Sequence, residues 1–297
     1  MRQDAFRALG GPCSIAIAPP FPKRIEEAFQ SSRAELLRIE EKYSRFRESS
    51  LVSSINRLAG KQAVAIDEET FLLFSLADRL YTETNGVFDI TTGTVSMLWD
   101  WKSRRIPSDA EVSLALQKVG WRNCVLKQDS IYLTQEGMQI DLGGLGKEYA
   151  VDRVATVLRN NQVSNALVNL SGDIFALGTN SLGQPWQVGI QHPRDQGKLL
   201  ARISVSNGGL ATSGDYERFF EYKGKRYCHI ISPKTGYPVT YWQSVSVRAD
   251  SCLRAGALAS CCMLLGGQGL DLLRRSSVSF LAVDYQGKVL TRNSSNA

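Results

Sequence analysis

His229 is one of only two histidines in the chain, and it stands in "CHIISPKTGYPV", at the end of a strand pattern and before a Pro/Gly loop. An imidazole titrates near neutrality, so it can accept the proton of an alcohol. A histidine at a strand end can also be purely structural. The rigid segment Pro233-Lys234-Thr235-Gly236-Tyr237-Pro238 beside it favours a site. A second cluster is "IDLGGLGKEYAVD", residues 140–152, which reads as a strand end, a glycine turn and a helix start. Gly143, Gly144 and Gly146 remove side chains from the turn, and Lys147 follows at once. A helix N-terminus offers free amides and positive dipole, and glycine lets an anion reach them. The dinucleotide fingerprint and the phosphate loop both fail, because Asp141 precedes Gly146 by five positions and Glu148 follows the lysine. A tight turn without any ligand accounts for the same glycines. Two further groups contain polar residues suited to a site wall. Asn169, Ser171, Gly172 and Asp173 follow an apolar run, and Thr212, Ser213 and Gly214 read as a hydroxyl-rich turn.

These groups need elements to hold them. Ile25, Phe29, Leu36, Ile39 and Tyr43 recur at helical spacing. Further helices are predicted over about 68–84, ending at Asn85-Gly86, and from Ser108, where Glu111 completes a capping box. Others are predicted over 147–160 and 253–265. Strands are predicted near 13–18, 124–127, 131–134, 138–142, 165–170, 186–191, 201–206, 227–231, 243–248, 278–284 and 288–292, with Lys223-Gly224-Lys225 as a hairpin turn. Helices and strands do not alternate regularly, so the expected class is α+β with mixed sheets and flanking helices, in one domain over 1–297 with a frayed tail from about 291.

The net charge of +6 suits an anionic ligand, but the basic residues are scattered, which argues against nucleic acid as a partner. No stretch approaches the roughly 18 apolar residues of a membrane span. No signal-peptide core is visible at the start, so a cytoplasmic location is expected unless a leader was removed. The six cysteines lack CxxC or zinc spacing and are expected reduced and mostly buried.

Seven segments in one order resemble the ApbE family, the FAD:protein FMN transferases. They are "YSRFRESSLVSSINR", "TNGVFDITTGTVSMLW", "VGWRNCVL", "IDLGGLGKEYAVD", "VNLSGDIFALG", "ATSGDYERFF" and "HIISPKTGYPV". The resemblance runs from about Phe6 to Leu290. It implies an enzyme that binds FAD and magnesium. Such an enzyme moves FMN onto a Ser or Thr hydroxyl of a target flavoprotein and releases AMP. The target would be a redox-pump subunit or a soluble reductase. The resemblance makes His229 the catalytic base. It puts FAD against Leu9, where the family has Met, and against Phe46, Phe88, Asp89, Asp141, Gly143 and Gly144. Lys147, Tyr149, Asp173, Thr212, Ser213 and Ile230 complete that expected binding set.

The pattern breaks in "RAGALASCCMLLGG". The family reads roughly A-D-A-L-A-T-A-L here, and its Asp and Thr hold the metal together with a backbone carbonyl of the glycine turn, near Gly146. Ser260 keeps the hydroxyl, four residues and one helical turn after Gly256, which replaces the Asp. Ser232 also stands where the family commonly has Asp. Asp250, Asp173 or Asp215 could supply the missing carboxylate. The alternative function is a FAD-binding carrier or assembly factor that transfers slowly or not at all. A third is a nucleotide hydrolase. If the vacancy weakens the metal, Gly256→Asp is expected to restore it.

Overall fold

The computed structural model describes residues 1–293. β1 (Arg2–Ala8) and β2 (Gly11–Ile17) form an antiparallel hairpin closed by Leu9 and Gly10, both at positive φ. Then follow α1 (Ile25–Tyr43), α2 (Leu51–Arg57), β3 (Val64–Ala65), α3 (Glu68–Glu83), α4 (Gly93–Ser96) and α5 (Asp109–Leu116). β4 (Cys124–Lys127) and β5 (Ser130–Leu133) precede α6 (Gly146–Asn160). Strands β6 (Ala166–Leu170), β7 (Asp173–Leu177), β8 (Trp186–Gln191), β9 (Leu199–Val205) and β10 (Gly208–Gly214) come next. β11 (Phe219–Tyr222), β12 (Lys225–Cys228), β13 (Trp242–Ala249), α7 (Cys252–Leu265), α8 (Gly269–Arg275), β14 (Ser279–Asp284) and β15 (Val289–Arg292) close the described chain.

Eight strands form one sheet in the order β1-β2-β6-β7-β10-β13-β14-β15, with every neighbouring pair antiparallel. Apolar faces of α1, α6 and α7 share a core with one side of the sheet, including Ile15, Val168, Phe175 and Val245. Ile174, Ala176 and Leu210 point the other way, into a second core with Trp186, Val188 and Ile190 of β8. Covered on both faces, β7 is buried along its whole length. The expected α+β class with flanking helices is what the structure has, and every strand ladder in its sheets is antiparallel.

Local chemistry sets the helix starts. Ser108 and Glu111 form the expected capping box on α5, and Asp67 accepts the Thr70 amide at the start of α3. Helix α7 is pinned twice. Ser251 accepts the Arg254 amide, and both carboxylate oxygens of Asp152 accept the amides of Cys252 and Leu253, at 2.8 and 2.9 Å. Burial pushes the Asp152 carboxyl up to about 6, while those two amides pull it down. Asp152 thus fixes the N-terminus of α7 to the side of α6.

Several expectations need correction. Residues 138–142 form no strand, only one parallel bridge between Thr92 and Gln139. Met138, Ile140 and Leu142 are buried at period two, and the Asn56 side chain pairs with both backbone groups of Ile140 at 2.7 and 3.0 Å. An amide side chain therefore takes the place of a neighbouring strand. Thr212, Ser213 and Gly214 lie in β10, not in a turn. Thr291 and Arg292, assigned to the frayed tail, pair in β15, and residues 294–297 lie outside the described residues. The run Cys252–Arg275 is long and apolar enough to cross a membrane, against the expectation of no such stretch. Gly266–Gln268 interrupts it, and α7 is a core helix with nine buried residues. All six cysteines are free, and five are buried.

Candidate functional site

Several chain turns meet at one end of the sheet. Leu170 pairs with Asp173 across the two-residue turn Ser171-Gly172, whose φ values are 56° and 97°. The amide of Ser171 donates to Pro12 O, which places the Leu9-Gly10 turn beside it. β10 runs along β7 to the same end and finishes in Thr212, Ser213 and Gly214. The N-terminus of α6 and the middle of α7 pack against this end. There the Lys147 Nζ lies 2.5 Å from the Asp173 carboxylate, and the Ser260 hydroxyl lies 3.0 Å from that of Ser213.

The glycine turn answers to packing as well as to access. None of Gly143, Gly144 and Gly146 has positive φ. A Cβ on Gly144 would sit 3.3 Å from Ser260 Oγ and 3.4 Å from the Phe88 ring, so this backbone slides between two side chains. Gly143 is exposed, and its amide donates to Asp141 Oδ1. Asp141 is further held by Arg45, at 3.1 Å, and the Arg45 guanidinium covers the ring of Phe46. Phe46 is 77% exposed, so it stands at the rim as a free apolar face. No side chain caps α6. Its positive dipole end points to this end of the sheet; the Gly146 amide already donates to Leu142 O at 2.7 Å, and the Glu148 carboxyl lies against its own amide.

Electrostatics separates the charged groups by role. Asp173 is 3% exposed; burial pushes its carboxyl up, against the pull of Lys147. Burial opposes the Lys147 charge, but Asp173 and Glu148 hold it firmly protonated. Lys147 is thus first the partner of a buried carboxylate. His229 is half-buried, and its Nδ1 is buried without a hydrogen-bond partner. Burial, the Arg218 charge and the Lys147 charge lower its pKa to about 4. The imidazole is neutral at pH 7 and lies within the field of Lys147.

Not every expected residue gathers there. Tyr149 points the other way on α6, where its hydroxyl donates to Glu69 at 2.6 Å and its ring packs edge-on against Tyr43. It belongs to a network with Glu35, Arg38, Lys42 and Arg153. Asp89 is buried and fully used: its oxygens accept from Thr91 and from the Trp121 amide. Both its oxygens are thus engaged in the scaffold, while the neighbouring Phe88 amide is held by the Thr84 hydroxyl at 2.8 Å. Thr212 shares its hydroxyl with Ser246 at 2.8 Å, and Ile230 packs on the main core beside His229.

The three carboxylates weighed for position 256 are engaged elsewhere. Asp173 holds Lys147, Asp215 holds Arg194 and Arg226, and exposed Asp250 pairs with Arg254. Position 256 is not empty space. A Cβ there would lie 2.4 Å from Glu148 Cγ and 2.9 Å from its Oε1. Gly256→Asp therefore requires the Glu148 side chain to move aside, so it is not a simple addition of a carboxylate. Glu148 is 5% exposed, and its Oε2 has no partner. Burial, with Asp173 nearby, pushes it up to about 8. Sequence reading missed Glu148. The available signal was a glutamate on the apolar stripe it shares with Leu145, Val151 and Ala155, all buried. Hydroxyls of Ser213 and Ser260, glycine-turn carbonyls and this orphaned carboxyl oxygen are hard donors, which fit a magnesium-class cation. Among the described residues no three His, Cys, Asp or Glu side chains converge on a metal position.

Residues 9–282 match the ApbE family. The chain is 32% identical over 220 residues to an FAD:protein FMN transferase of Klebsiella pneumoniae, covering 72% of this chain and 68% of that one. It is 34% identical over 239 residues to one of Treponema pallidum, covering 74% and 66%. The matched stretches thus span about two thirds of those relatives' length. The ApbE protein of Thermotoga maritima superposes with a TM-score of 0.91 at 29% identity, over 98% of this chain and 97% of that one. The apo flavinyl transferase ApbE of Pseudomonas stutzeri gives 0.87 at 25% identity, over 99% and 95%.

Proposed function

The chain belongs to the ApbE family, and on that premise we propose that it transfers the FMN half of FAD to a Ser or Thr hydroxyl of a target protein. The acceptor oxygen bonds to the FMN phosphorus, the bridging P–O bond breaks, and AMP leaves with the bridging oxygen. Such a displacement needs positioning and charge neutralisation more than covalent help. One observation carries the reading: the imidazole of His229, its Nδ1 buried and unpartnered, stands in the field of Lys147 at the uncapped start of α6. His229 takes the acceptor proton. The dipole at the start of α6 and the exposed turn at Gly143 face the pyrophosphate, and the exposed Phe46 ring offers a surface to the flavin or adenine. Magnesium, when bound, neutralises phosphate charge; Ser260 and the carbonyl region of Gly146 would hold it. The target is a flavoprotein subunit of a redox pump or a soluble reductase.

Purified protein given FAD, magnesium and an acceptor peptide is expected to yield AMP and a peptide heavier by one FMN, read by chromatography and mass spectrometry. FMN and AMP without an adduct would mark a hydrolase. FAD binding without AMP would mark a carrier.

The pH profile offers a second check. Because the His229 pKa is lowered from 6.5 to about 4, the base stays unprotonated through the neutral range. The acid limb of kcat/KM from this group should fall near about pH 4. A limb near 6.5 that disappears in His229→Gln would contradict the depressed value.

A further inference from the structure

Helices α6 and α7 face each other in an antiparallel ladder. Gly144, at the start of the α6 turn, meets Ser260; Glu148 meets Gly256; Asp152 meets the amides of Cys252 and Leu253. The rungs step by four residues on both helices, so each pair sits one turn further along. The middle rung carries a carboxyl group, with no side chain opposite it. The Glu148 side chain fills the volume a Cβ at 256 would need, and its Oε2 is buried with no donor. A buried acceptor left unpartnered is costly and calls for a donor or a cation. One turn away are the Ser260 and Ser213 hydroxyls, 3.0 Å apart, and the glycine-turn backbone.

We propose that Glu148, reaching from α6 over Gly256, supplies the carboxylate of a divalent-cation site completed by Ser260 and by the phosphates of bound FAD. The inference rests on the flavin-transfer reading for its second set of ligands. A hard cation of this size takes one or two carboxylates plus substrate phosphates and keeps water on its other positions. The single protein carboxylate makes metal uptake depend on FAD. The ligand thus comes from the opposite helix to the one the sequence pattern points to, and Gly256 is the residue that makes room for it.

The test is manganese binding followed by electron paramagnetic resonance, with and without FAD, alongside FAD affinity measured in chelator. Wild-type protein is expected to bind manganese at least tenfold more tightly with FAD. Glu148→Gln should weaken that binding at least tenfold while FAD affinity in chelator stays within about threefold. The double variant Glu148→Gly/Gly256→Asp moves the carboxylate across the rung, and should recover most of the manganese binding. If Glu148→Gln fails to fold, the double variant decides: folded and manganese-binding supports the site, folded without manganese overturns it. Equal manganese affinity in wild type and folded Glu148→Gln also overturns it, and leaves flavin transfer standing if the adduct still forms. Absence of FAD binding by the wild type would instead sink the transfer reading itself.

Discussion

Replacing His229 with asparagine is expected to slow FMN transfer by about 10²–10⁴-fold, the usual contribution of a positioned general base. The structure gives this histidine no other task of comparable weight. Its Nδ1 has no partner, and its backbone amide, which donates to Arg218 O at 3.0 Å, survives the substitution. Its neutrality is enforced from three sides, by burial, by Arg218 and by Lys147. Asparagine keeps a polar side chain of similar reach and cannot take up the acceptor proton. FAD binding, which relies on the glycine turn and α6, should change by no more than a few-fold. Single-turnover adduct formation at saturating FAD separates the two effects. A variant within about threefold of the wild-type rate would remove His229 from the mechanism and return it to a structural role.

The second large effect is on stability. Lys147→Ala leaves Asp173 buried, at 3% exposure, without its cation. Removing one partner of a buried ion pair costs about 3–5 kcal/mol, because the remaining charge is uncompensated. Chemical denaturation at pH 7 should show a loss of that size. The pH dependence has a definite sign. The Asp173 carboxyl is already raised by burial, and losing Lys147 raises it further. In the variant the buried carboxylate therefore destabilises the fold above its folded pKa, and the deficit shrinks as pH falls and the group protonates. The double variant Lys147→Met/Asp173→Leu should recover most of the loss, since a buried pair replaced by apolar groups is often neutral. If Lys147→Ala costs less than about 1 kcal/mol, Asp173 has another counter-charge, and the pair does not organise this end of the sheet.

Much of this was legible in the residues. Five helices with clear apolar spacing or caps occur within a few residues of their expected ends, because α1 and α6 each bury one stripe and α3 and α5 carry side-chain caps. The motifs placed His229, Asp173, Ser213, Ser260 and the glycine turn near one another, and the fold brings them to one end of the sheet. What failed did so for physical reasons. β10 reads "GGLATSG", with glycines where strands usually carry branched side chains. It is a central strand by its pairing with β7 and β13, and its glycine is needed because a Cβ on Gly209 would lie 2.2 Å from the Cys252 amide nitrogen at the start of α7. Residues 138–142 have the period of a strand, but Asn56 supplies the hydrogen bonds a neighbour would have made. Tyr149 and Asp89 sit inside matching motifs, yet each is consumed by scaffold contacts. Glu148 showed only as a glutamate on an apolar stripe; its place in the site depends on a residue 108 positions away, Gly256, whose defining property is what it lacks.

The rung between Glu148 and Gly256 ties the occupancy of one position to that of the other. A Cβ at 256 would lie 2.4 Å from Glu148 Cγ and 2.9 Å from its Oε1, so Glu148 in its present rotamer and any side chain at 256 exclude one another. Substitutions at the two positions are therefore coupled, and their effects on stability should not add, since each changes the room left to the other.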